Sequence, residues 1–493
     1  MSALVAAVIC LPLASAVAAA FTARARTLGA VAIAAGLGTL AVAIAIAIRV
    51  SDGHSFTAVS GFVYLDPLSG FFMLTIAIVV ALASMGSAAY MRADEADHGL
   101  GPLQVRLYFV FFALFASMML AAFATGSLGL LWVLIEASTL ASCVLVGLEA
   151  DALSLEAAWK YIIISSFGVT IALAGTVFLY YAASGMGGSP TDHLTWQFLH
   201  AHAHGLSGQS LRLAFLLVVV GYGTKVGLAP MHSWLPDAHA QAPSPASAML
   251  SGALLNTGMY AIVRFRAITD LAIGGEYASH VLLVFGFLSV VVGTLFIVLR
   301  GNFKRMFAYS SVEHMGIITI ALGFGGTLGL YGALLQTLTH AIGKTVLFLT
   351  SGDVLLRFRT RLTSDVHGLL GALPLSGAAL ILGSIAVAGS PPFGVFLSEL
   401  TIIRAGFADA APALAIALLV LLAVVFIALV GAVAQMTFGT GPPRVRDRPY
   451  PDRASRLAAA TPLVAGLIGL LLLGVWIPAG LNSLIMHSIR VIS

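Results

Sequence analysis

Long apolar stretches alternate with short polar segments along the whole chain. Fourteen of these stretches are long enough to cross a bilayer as helices, because a spanning helix needs about 20 predominantly apolar residues. The runs at 211–222 and 411–433 are continuously apolar, whereas the strands of a membrane β-barrel alternate apolar and polar residues. The pattern therefore predicts an all-α polytopic membrane protein. The predicted spans are 3–21, 28–48, 69–90, 107–125, 128–148, 159–182, 211–229, 246–264, 279–299, 306–324, 328–354, 374–403, 411–437 and 457–479.

The composition supports this class and excludes others. Of the 493 residues, 60% are hydrophobic and 9% are charged, whereas soluble domains carry about 25% charged residues. The net charge of +4 provides no strongly basic surface for nucleic acid. No basic residue precedes the first apolar stretch, and Arg24 and Arg26 follow it, so we expect a retained first span rather than a secretory signal.

The sequence shows no signature of a bound cofactor. The two cysteines, Cys10 and Cys143, lie far apart inside apolar runs, which argues against an iron–sulfur cluster or a zinc site. A glycine-rich nucleotide loop and a nucleophile motif are also absent from the sequence. We therefore expect the isolated chain to bind no cofactor and to catalyse no reaction.

Basic residues in the loops predict the orientation. Fifteen arginines and lysines lie in the loops that connect odd to even spans, and six lie on the opposite side. By the positive-inside rule, the loops that connect odd to even spans lie on the inner side of the cell's inner membrane, and both termini lie on its outer side. The predicted organisation is a three-helix segment at 1–106, two repeats at 107–265 and 279–437, and a loop with the last helix at 438–493.

Three features interrupt the helical pattern at membrane depth. Lys225 is closely followed by Pro230, span eleven is unusually long and contains Gly343 and Gly352, and prolines at 391–392 interrupt span twelve. Broken helices survive in a bilayer only where protein or water satisfies the freed backbone groups. Breaks in corresponding segments predict inverted repeats, here spans four to eight and nine to thirteen, although a packing kink is the alternative for each break.

Lysine usage suggests proton chemistry. The chain has twenty arginines and only four lysines; Lys160, Lys225 and Lys344 lie within predicted spans, Lys304 lies in a predicted loop, and no arginine is predicted well inside a span. A buried lysine can release its proton, whereas arginine stays charged. This selection suits a proton relay. Lys160 begins its span, so an interfacial position, with an ion pair to Glu156, is an equal alternative for it.

Acidic residues follow the same pattern. Glu136 lies in the middle of span five, Glu399 follows the double proline, Glu313 and His314 are adjacent in span ten, and Asp353 closes span eleven. A carboxylate in a membrane costs several kcal/mol unless it is paired or hydrated, so each is a functional candidate, with a structural ion pair as the alternative.

Span eleven carries a polar stripe. Gln336, His340 and Lys344 are spaced four residues apart and therefore share one face of a helix. Such a face can hold a file of water molecules that passes protons between titratable groups.

Histidines outside the spans are weaker candidates. Segment 230–245 carries His232 and Asp237 among four prolines, which indicates a polar funnel or a re-entrant turn. A metal site in the loop near residue 200 is less favoured than a plain surface loop, because no acidic or cysteine partner is placed beside its histidines. Those histidines are His200, His202 and His204.

At these residues the sequence resembles the antiporter-like membrane subunits shared by respiratory complex I, Mrp-type cation/proton antiporters and membrane-bound NiFe hydrogenases. Within that family, the sequence is most similar to the F-type subunit of hydrogenase-4. The resemblance extends over nearly the whole chain. The stretches that carry it are 132–139 around Glu136, GYGTKVGLAPMHSWLPDAHAQAPSPASAML (221–250), SSVEHMGI (310–317), THAIGKTVLF (339–348) and SPPFGVFLSE (390–399).

The resemblance implies a fold of fourteen helices with two inverted five-helix repeats. It also implies that Glu136 and Lys225 form the ion pair of a first half-channel. His340 and Lys344 would lie on a central hydrophilic axis, and Glu399 would end the second half-channel.

Two positions depart from the family pattern. Asn256 stands where family members often carry Lys or His, and Gln336 stands where some carry a further His. Neither side chain takes up a proton near neutral pH, so water would have to bridge both positions.

We therefore expect a proton-translocating, or sodium-linked, subunit of a membrane-bound oxidoreductase complex. Its partners would be other membrane subunits and hydrophilic redox subunits that hold the NiFe and iron–sulfur centres, with no nucleic acid. The alternatives are a stand-alone cation/proton antiporter and a structural membrane anchor whose channel has decayed.

Overall fold

The computed structural model describes residues 1–22, 24–96, 99–299, 301–408, 411–440, 450 and 452–493, and these residues are almost entirely helical. The first ten helices are α1 (Ser2–Ala20), α2 (Ala25–Val50), α3 (Pro67–Ala96), α4 (Pro102–Ala124), α5 (Leu128–Val146), α6 (Ala152–Ala183), α7 (Trp196–Ala201), α8 (Gly208–Val226), α9 (Trp234–Gln241) and α10 (Ser244–Met249). The next ten are α11 (Leu255–Ile273), α12 (Gly275–Val298), α13 (Phe303–Phe324), α14 (Gly326–Phe358), α15 (Leu369–Ala372), α16 (Pro374–Val387), α17 (Gly394–Ala408), α18 (Pro412–Thr437), α19 (Arg453–Val475) and α20 (Ala479–Ile492).

Helices long enough to cross a membrane account for most of the described chain. By length and composition, 10 helices in these ranges qualify, with α10 and α11 counted together as Ser244–Ile273. The other four predicted spans coincide with α8, α13, α14 and the α16–α17 pair. Each of these four carries a buried ionisable residue, namely Lys225 in the last turn of α8, Glu313 in α13, Lys344 in α14 and Glu399 in α17. The total of fourteen spans stays a prediction.

The bundle has a buried centre and an apolar periphery. The segment Ser244–Ile273 is completely buried in its most apolar window, and nearly every residue of α13 and α14 is buried. By contrast, α1, α2, α18 and α19 bury a third or less of theirs. Helices that are apolar on their outer face suit a lipid environment, whereas the central helices can place polar side chains inside the protein.

Two of the three expected interruptions are real breaks. Helix α8 ends at Gly227 in a left-handed conformation (φ +81°), and an irregular segment at 227–233 leads into α9. A second irregular segment, 388–393, separates α16 from α17. Each contains a cis peptide bond, Ala229–Pro230 in the first and Pro391–Pro392 in the second.

The third expected interruption is wrong, because α14 is one continuous helix of 33 residues. Its glycines serve close packing instead. A Cβ atom at Gly343 would lie 2.6 Å from Val387 Cγ2, and one at Gly352 would lie 3.0 Å from Ser244 Cβ. Small residues at helix contacts allow this approach in membranes.

Three basic residues lie deeper than the sequence pattern indicates. Helix α11 continues to Ile273, so Arg264 and Arg266 are buried within the protein, each against an acidic partner. Lys304 belongs to the first turn of α13 rather than to a loop and is 1% exposed. The apolar pattern stopped the predicted span at Arg264 because pairing with a distant acid is invisible in sequence.

Two small elements were not predicted. Strands β1 (Phe56–Ala58) and β2 (Val63–Leu65) form an antiparallel pair ahead of α3. Helix α20 follows the last predicted span and buries one apolar face, including Leu484, Ile485 and Ile489. Part of the predicted loop at 438–456 lies outside the described residues, as do four arginines used for the orientation, Arg300, Arg444, Arg446 and Arg448.

Candidate functional site

Lys225 is fully buried at the end of α8 and forms no ion pair with an acidic side chain among the described residues. Its Nζ donates hydrogen bonds to Thr139 Oγ1 at 2.6 Å and to the Tyr161 hydroxyl at 2.9 Å. The Nζ atom also lies 4.9 Å from the centroid of the Tyr161 ring. Tyr161 in turn shares a hydrogen bond of 2.6 Å with Ser142. The ammonium group is thus solvated by hydroxyl groups of α5 and α6.

Glu136 lies one helical turn from Thr139 on α5. One carboxylate oxygen accepts a hydrogen bond from Ser166 at 2.5 Å, and the buried Oε2 has no hydrogen-bond partner among the described residues. The ion pair with Lys225 implied by the resemblance is not a direct contact in this structure. The reason is that α5 presents Thr139, about 4.5 Å along the helix, to the lysine instead.

Lys344 repeats this arrangement in the centre of the bundle. It is fully buried on α14 and donates hydrogen bonds to Ser310 Oγ at 2.6 Å and to the Phe307 carbonyl at 3.3 Å. Glu313 lies one turn further along α13, and its buried Oε2 accepts no hydrogen bond. That oxygen is 3.6 Å from Nε2 of the neighbouring His314.

His340 precedes Lys344 by one turn, as the spacing predicts, and lies fully buried on α14. Neither of its ring nitrogens has a hydrogen-bond partner in the described part of the chain, and its ring centroid is 5.2 Å from that of His314. Gln336 links His314 on α13 to Ser398 on α17. Its Nε2 lies 2.8 Å from His314 Nδ1, and its Oε1 accepts a hydrogen bond from Ser398.

Glu399 follows Ser398 on α17. It is the last member of what we call the polar series, the buried polar side chains of Lys344, His340, Gln336, Ser398 and Glu399. Its carboxylate packs against Gly389, whose left-handed conformation (φ +73°) and lack of a Cβ atom leave room for it. The same carboxylate borders a cavity of about 400 Å³ whose other walls are mostly apolar, including Leu422 and Phe426. The second break therefore positions Glu399 between the polar series and an apolar cavity.

Helix α11 and the segment before it lie between the two lysines. A Cβ atom at Gly258 would contact Lys225, and Ser251 shares a hydrogen bond of 2.7 Å with Ser311 on α13. Asn256 is fully buried; its Nδ2 donates to the Gly252 carbonyl at 2.8 Å, and its Oδ1 has no partner. Asn256 and Ser251 are thus buried polar side chains on the segment that lies between the two lysines.

Sequence reasoning placed His239 no more closely than in the polar 230–245 segment, and it placed Lys304 in a loop. His239 on α9 is fully buried, both of its ring nitrogens lack partners, and its ring stacks on Phe348 at 4.6 Å. Lys304 Nζ donates to the Ala242 carbonyl at 2.6 Å, in the gap between α9 and α10. Both lie between predicted apolar stretches, where a polar residue does not stand out from its polar neighbours.

Lys160, Asp237 and His232 lie nearer the surface than this buried series. Lys160 forms an ion pair with Glu156 at 2.5 Å and another with Asp237 at 3.2 Å, and its side chain is 46% exposed. Asp237 also accepts a hydrogen bond from Arg305 at 2.6 Å. His232 is partly buried, with Nδ1 unpartnered. This geometry favours the surface ion pair for Lys160.

A second buried charge cluster is fully paired. Arg264 donates to both oxygens of Asp66, at 2.6 and 2.7 Å, and to Ser69 Oγ at 2.9 Å. Its guanidinium carbon lies 4.5 Å from the ring centroid of Trp196 and 4.9 Å from that of Tyr260. Such a bidentate pair suits a permanent charge rather than one that changes.

Asp353 is buried and held by two hydroxyl groups, those of Ser376 and Tyr450, away from the central series.

Within the described ranges, no group of three or more His, Cys, Asp or Glu side chains is placed to hold a metal ion. His202, one of the three loop histidines, stacks on Phe198 instead.

Comparisons with known proteins are consistent with this architecture. The family described as "NADH:quinone oxidoreductase/Mrp antiporter, TM" matches residues 125–426. A hydrogenase-4 component F homolog from Methylacidiphilum infernorum (isolate V4) is 35% identical over 417 residues, covering 85% of this chain and 86% of that protein. NADH-quinone oxidoreductase subunit N from Desulforudis audaxviator (strain MP104C) is 29% identical over 417 residues, covering 83% and 80%.

The fold is also shared with a solved complex. A chain in the structure of the Mrp complex from Dietzia sp. DQ12-45-1b superposes with a TM-score of 0.84 at 22% identity, covering 100% of this chain and 97% of that one. The family match extends over more than half of the chain, and the resemblance expected from the motifs is confirmed. The chain belongs to the membrane-spanning antiporter family of NADH:quinone oxidoreductases and Mrp antiporters, and it is similar to component F of hydrogenase-4.

Proposed function

We propose that this chain carries protons across the membrane as a subunit of a hydrogenase-type or complex I-like respiratory assembly. The observation that carries the proposal is the pair of fully buried lysines, Lys225 and Lys344, whose hydrogen bonds within the described part of the chain all go to hydroxyl and carbonyl oxygens. A buried charge without a fixed counter-charge is costly in a membrane. Groups of this kind persist where their charge changes during function.

The proposed route begins at Glu136 and passes through Lys225 toward α11. Asn256 cannot hold an additional proton, but its unpartnered Oδ1 can accept a hydrogen bond from water. Buried polar atoms in natural proteins are nearly always satisfied, and where protein supplies no partner, an ordered water does. Water at Asn256 would therefore join the first half of the route to Lys344.

The second half of the route runs from Lys344 through His340 to Glu399. Gln336 links His314 to Ser398 by hydrogen bonds and cannot itself titrate. The unpartnered nitrogens of His340 are then the groups able to exchange a proton with water in this part of the bundle. Glu313 and His314 are close enough to influence its charge, and Lys160, His232 and Asp237 remain candidates for access from the surface.

The full architecture is proposed to consist of fourteen spans with two inverted repeats, at 107–265 and 279–437. The positions of the two breaks support this organisation. Residues 227–233 interrupt the fourth span of the first repeat, and residues 388–393 interrupt the fourth span of the second. Each break lies beside an ionisable residue, Lys225 or Glu399, as expected for repeats built around an ion path.

Glu136 indicates where a membrane partner would bind. It is only partly buried, and Val133 and Leu140, on the same face of α5, are 48% and 53% exposed. A carboxylate that faced lipid here would be unfavourable by several kcal/mol. We propose that another membrane subunit covers this face, that hydrophilic redox subunits of the assembly hold NiFe and iron–sulfur centres, and that both termini lie outside.

Substitution of Lys225 tests the proposal. Lys225→Gln keeps hydrogen-bonding capacity but removes the exchangeable charge, so proton translocation by the assembled complex should fall at least about tenfold, as when a group matched to proton transfer is lost. Arg212→Gln is the control, because Arg212 is exposed at the other end of the same helix. Translocation would be measured with a pH-sensitive dye in inverted membrane vesicles.

The readout must separate transport from assembly. Co-purification of the partner subunits should be unchanged in both variants, since neither side chain lies on the α5 face. Undiminished proton movement in assembled Lys225→Gln complexes would overturn the proposal and favour a structural anchor. Cation-dependent proton exchange by the purified chain alone in liposomes would instead favour a stand-alone antiporter.

A further inference from the structure

A cavity of about 500 Å³ opens between the start of α16 and the first three turns of α19. Its walls are largely apolar and include Leu375, Leu457 and Leu463. Leu375 is 43% exposed and Leu457 is 57% exposed, so the cavity opens sideways from the helix bundle. Because both residues belong to apolar helices, this opening faces the surroundings of the protein at membrane depth.

Two arginines, Arg453 and Arg456, line the same cavity at the first turn of α19. Both are exposed, and neither guanidinium group forms a hydrogen bond or an ion pair with another described residue. The nearest acid in sequence, Asp452, is engaged in capping α19, where it accepts the Ser455 backbone N–H at 2.6 Å. That hydrogen bond also lowers the pKa of the Asp452 carboxyl.

The acid on the cavity floor is also occupied. Asp353 accepts hydrogen bonds from the hydroxyl groups of Ser376 and Tyr450, and all three residues line the cavity. Among the described residues that line the cavity, the two arginines are therefore the charged groups whose side chains have no hydrogen-bond partner. Its charge is positive at one end, and its walls become apolar along α19.

We propose that this cavity binds an anionic phospholipid. The distance from Arg453 to Leu463 along α19 is about 15 Å, at about 1.5 Å per residue, which matches a headgroup followed by the upper part of an acyl chain. Basic pockets between membrane helices are the sites at which anionic headgroups bind. The arginines bind the phosphate, and the leucines contact the acyl chain.

Phospholipid fits this site better than a free anion does. A phosphate ion would use the arginines but would leave the apolar walls, from Leu457 to Leu463, in contact with water. The lateral opening also admits a lipid directly from the bilayer. A lipid bound here would contact α16 and α19 together and would lie beside Asp353 on the long central helix α14.

The experiment measures binding of defined lipids to the purified, delipidated full chain. Native mass spectrometry and thermal unfolding would compare phosphatidylglycerol, phosphatidylcholine and inorganic phosphate as probes. We expect phosphatidylglycerol to bind and to raise the unfolding temperature more than the other two. The double variant Arg453→Gln/Arg456→Gln should weaken this binding about thirtyfold, from about 1 kcal/mol per basic side chain and about 1.4 kcal/mol per factor of ten.

Two further variants make the outcome specific. Arg49→Gln/Arg490→Gln removes two exposed arginines, of α2 and α20, and should leave binding unchanged. Ala460→Trp fills the cavity without changing charge and should also abolish binding. The proposal would be overturned if the two lipids bound equally, or if inorganic phosphate raised the unfolding temperature as much as phosphatidylglycerol does. Undiminished lipid binding in the double arginine variant and in Ala460→Trp would also overturn it.

Discussion

At the scale of single residues, buried cations fall into two kinds. Arg264 and Arg266 each have a carboxylate partner, whereas the ammonium groups of Lys225 and Lys344 donate their hydrogen bonds, among the described residues, to neutral oxygens. Arginine stays charged under all physiological conditions, so a permanent partner is the stable solution for it. Lysine can lose its proton when it is buried, and neutral oxygens tolerate both of its states.

The two buried carboxylates Glu399 and Asp353 provide a test at this scale. Glu399→Gln should lower proton translocation at least about tenfold, because the amide cannot release a proton and Glu399 ends the proposed route. Asp353→Asn should retain translocation, because Asp353 lies off that route and its contacts with Ser376 and Tyr450 can be kept by an amide. Dye-based assays in vesicles that contain the assembled complex would compare them. Equal losses in both variants would show that the assay reports general damage.

Residues that interrupt long apolar runs could be predicted from sequence, and residues with distant partners could not. Lys225, Lys344 and Glu136 stand out because apolar neighbours surround them. The predicted span stops at Arg264, and its buried position was missed, because its partner, Asp66, lies 198 residues away in the chain. Contacts of this range depend on the packing of whole helices, which hydrophobic patterning does not specify.

At the scale of elements, two broken helices place functional groups where continuous helices would not. In the second break, Gly389 adopts a left-handed conformation and lets the Glu399 carboxylate approach the backbone. Proline made both breaks predictable. The continuity of α14 was not predictable from its glycines, because Gly343 and Gly352 serve helix packing there. A glycine in an apolar run can indicate either a helix break or a close helix contact, and the packing of the neighbouring helix determines which of the two occurs.

Replacing Gly389 by alanine tests the second break. The left-handed conformation is unfavourable for alanine by about 1–2 kcal/mol, and the added methyl group would overlap the Glu399 carboxylate. Gly389→Ala should therefore lower thermal stability and also reduce proton translocation, by displacing Glu399. Gly371→Ala is the matched control, because a Cβ atom at Gly371 would meet no neighbour within 4 Å. Full translocation in Gly389→Ala would show that the position of Glu399 at this break is unimportant.

At the scale of the whole molecule, the polar series lies in the central helices, and apolar helices surround it. Segment Ser244–Ile273 is completely buried in its most apolar window, whereas α18 buries 28% of its own. This arrangement keeps the ionisable side chains away from lipid except at Glu136, where a neighbouring subunit is proposed. The apolar pattern predicted the spans, but it did not predict which helices are central, because that order depends on their three-dimensional packing.

The Asp66–Arg264 pair connects the outer segments to this centre. Asp66 precedes α3, Arg264 belongs to α11, and Trp196 of α7 stacks beside the guanidinium group. Removing one partner leaves a buried charge unpaired, so Asp66→Leu or Arg264→Met should each destabilise the protein by about 3–5 kcal/mol. The double variant should recover much of the stability, because a buried ion pair replaced by apolar residues of similar volume is often neutral or favourable.

Thermal unfolding of the purified chain in detergent would measure all three variants, with Arg212→Met as an exposed control. Proton translocation in assembled complexes should survive in the double variant, because the pair provides a permanent charge and takes no part in the proposed route. A double variant as unstable as the single ones would mean that the aromatic contacts of Arg264, rather than its charge, hold the segments together. A stable double variant without translocation would place this pair in the proton path and would contradict the distinction between paired arginines and unpaired lysines.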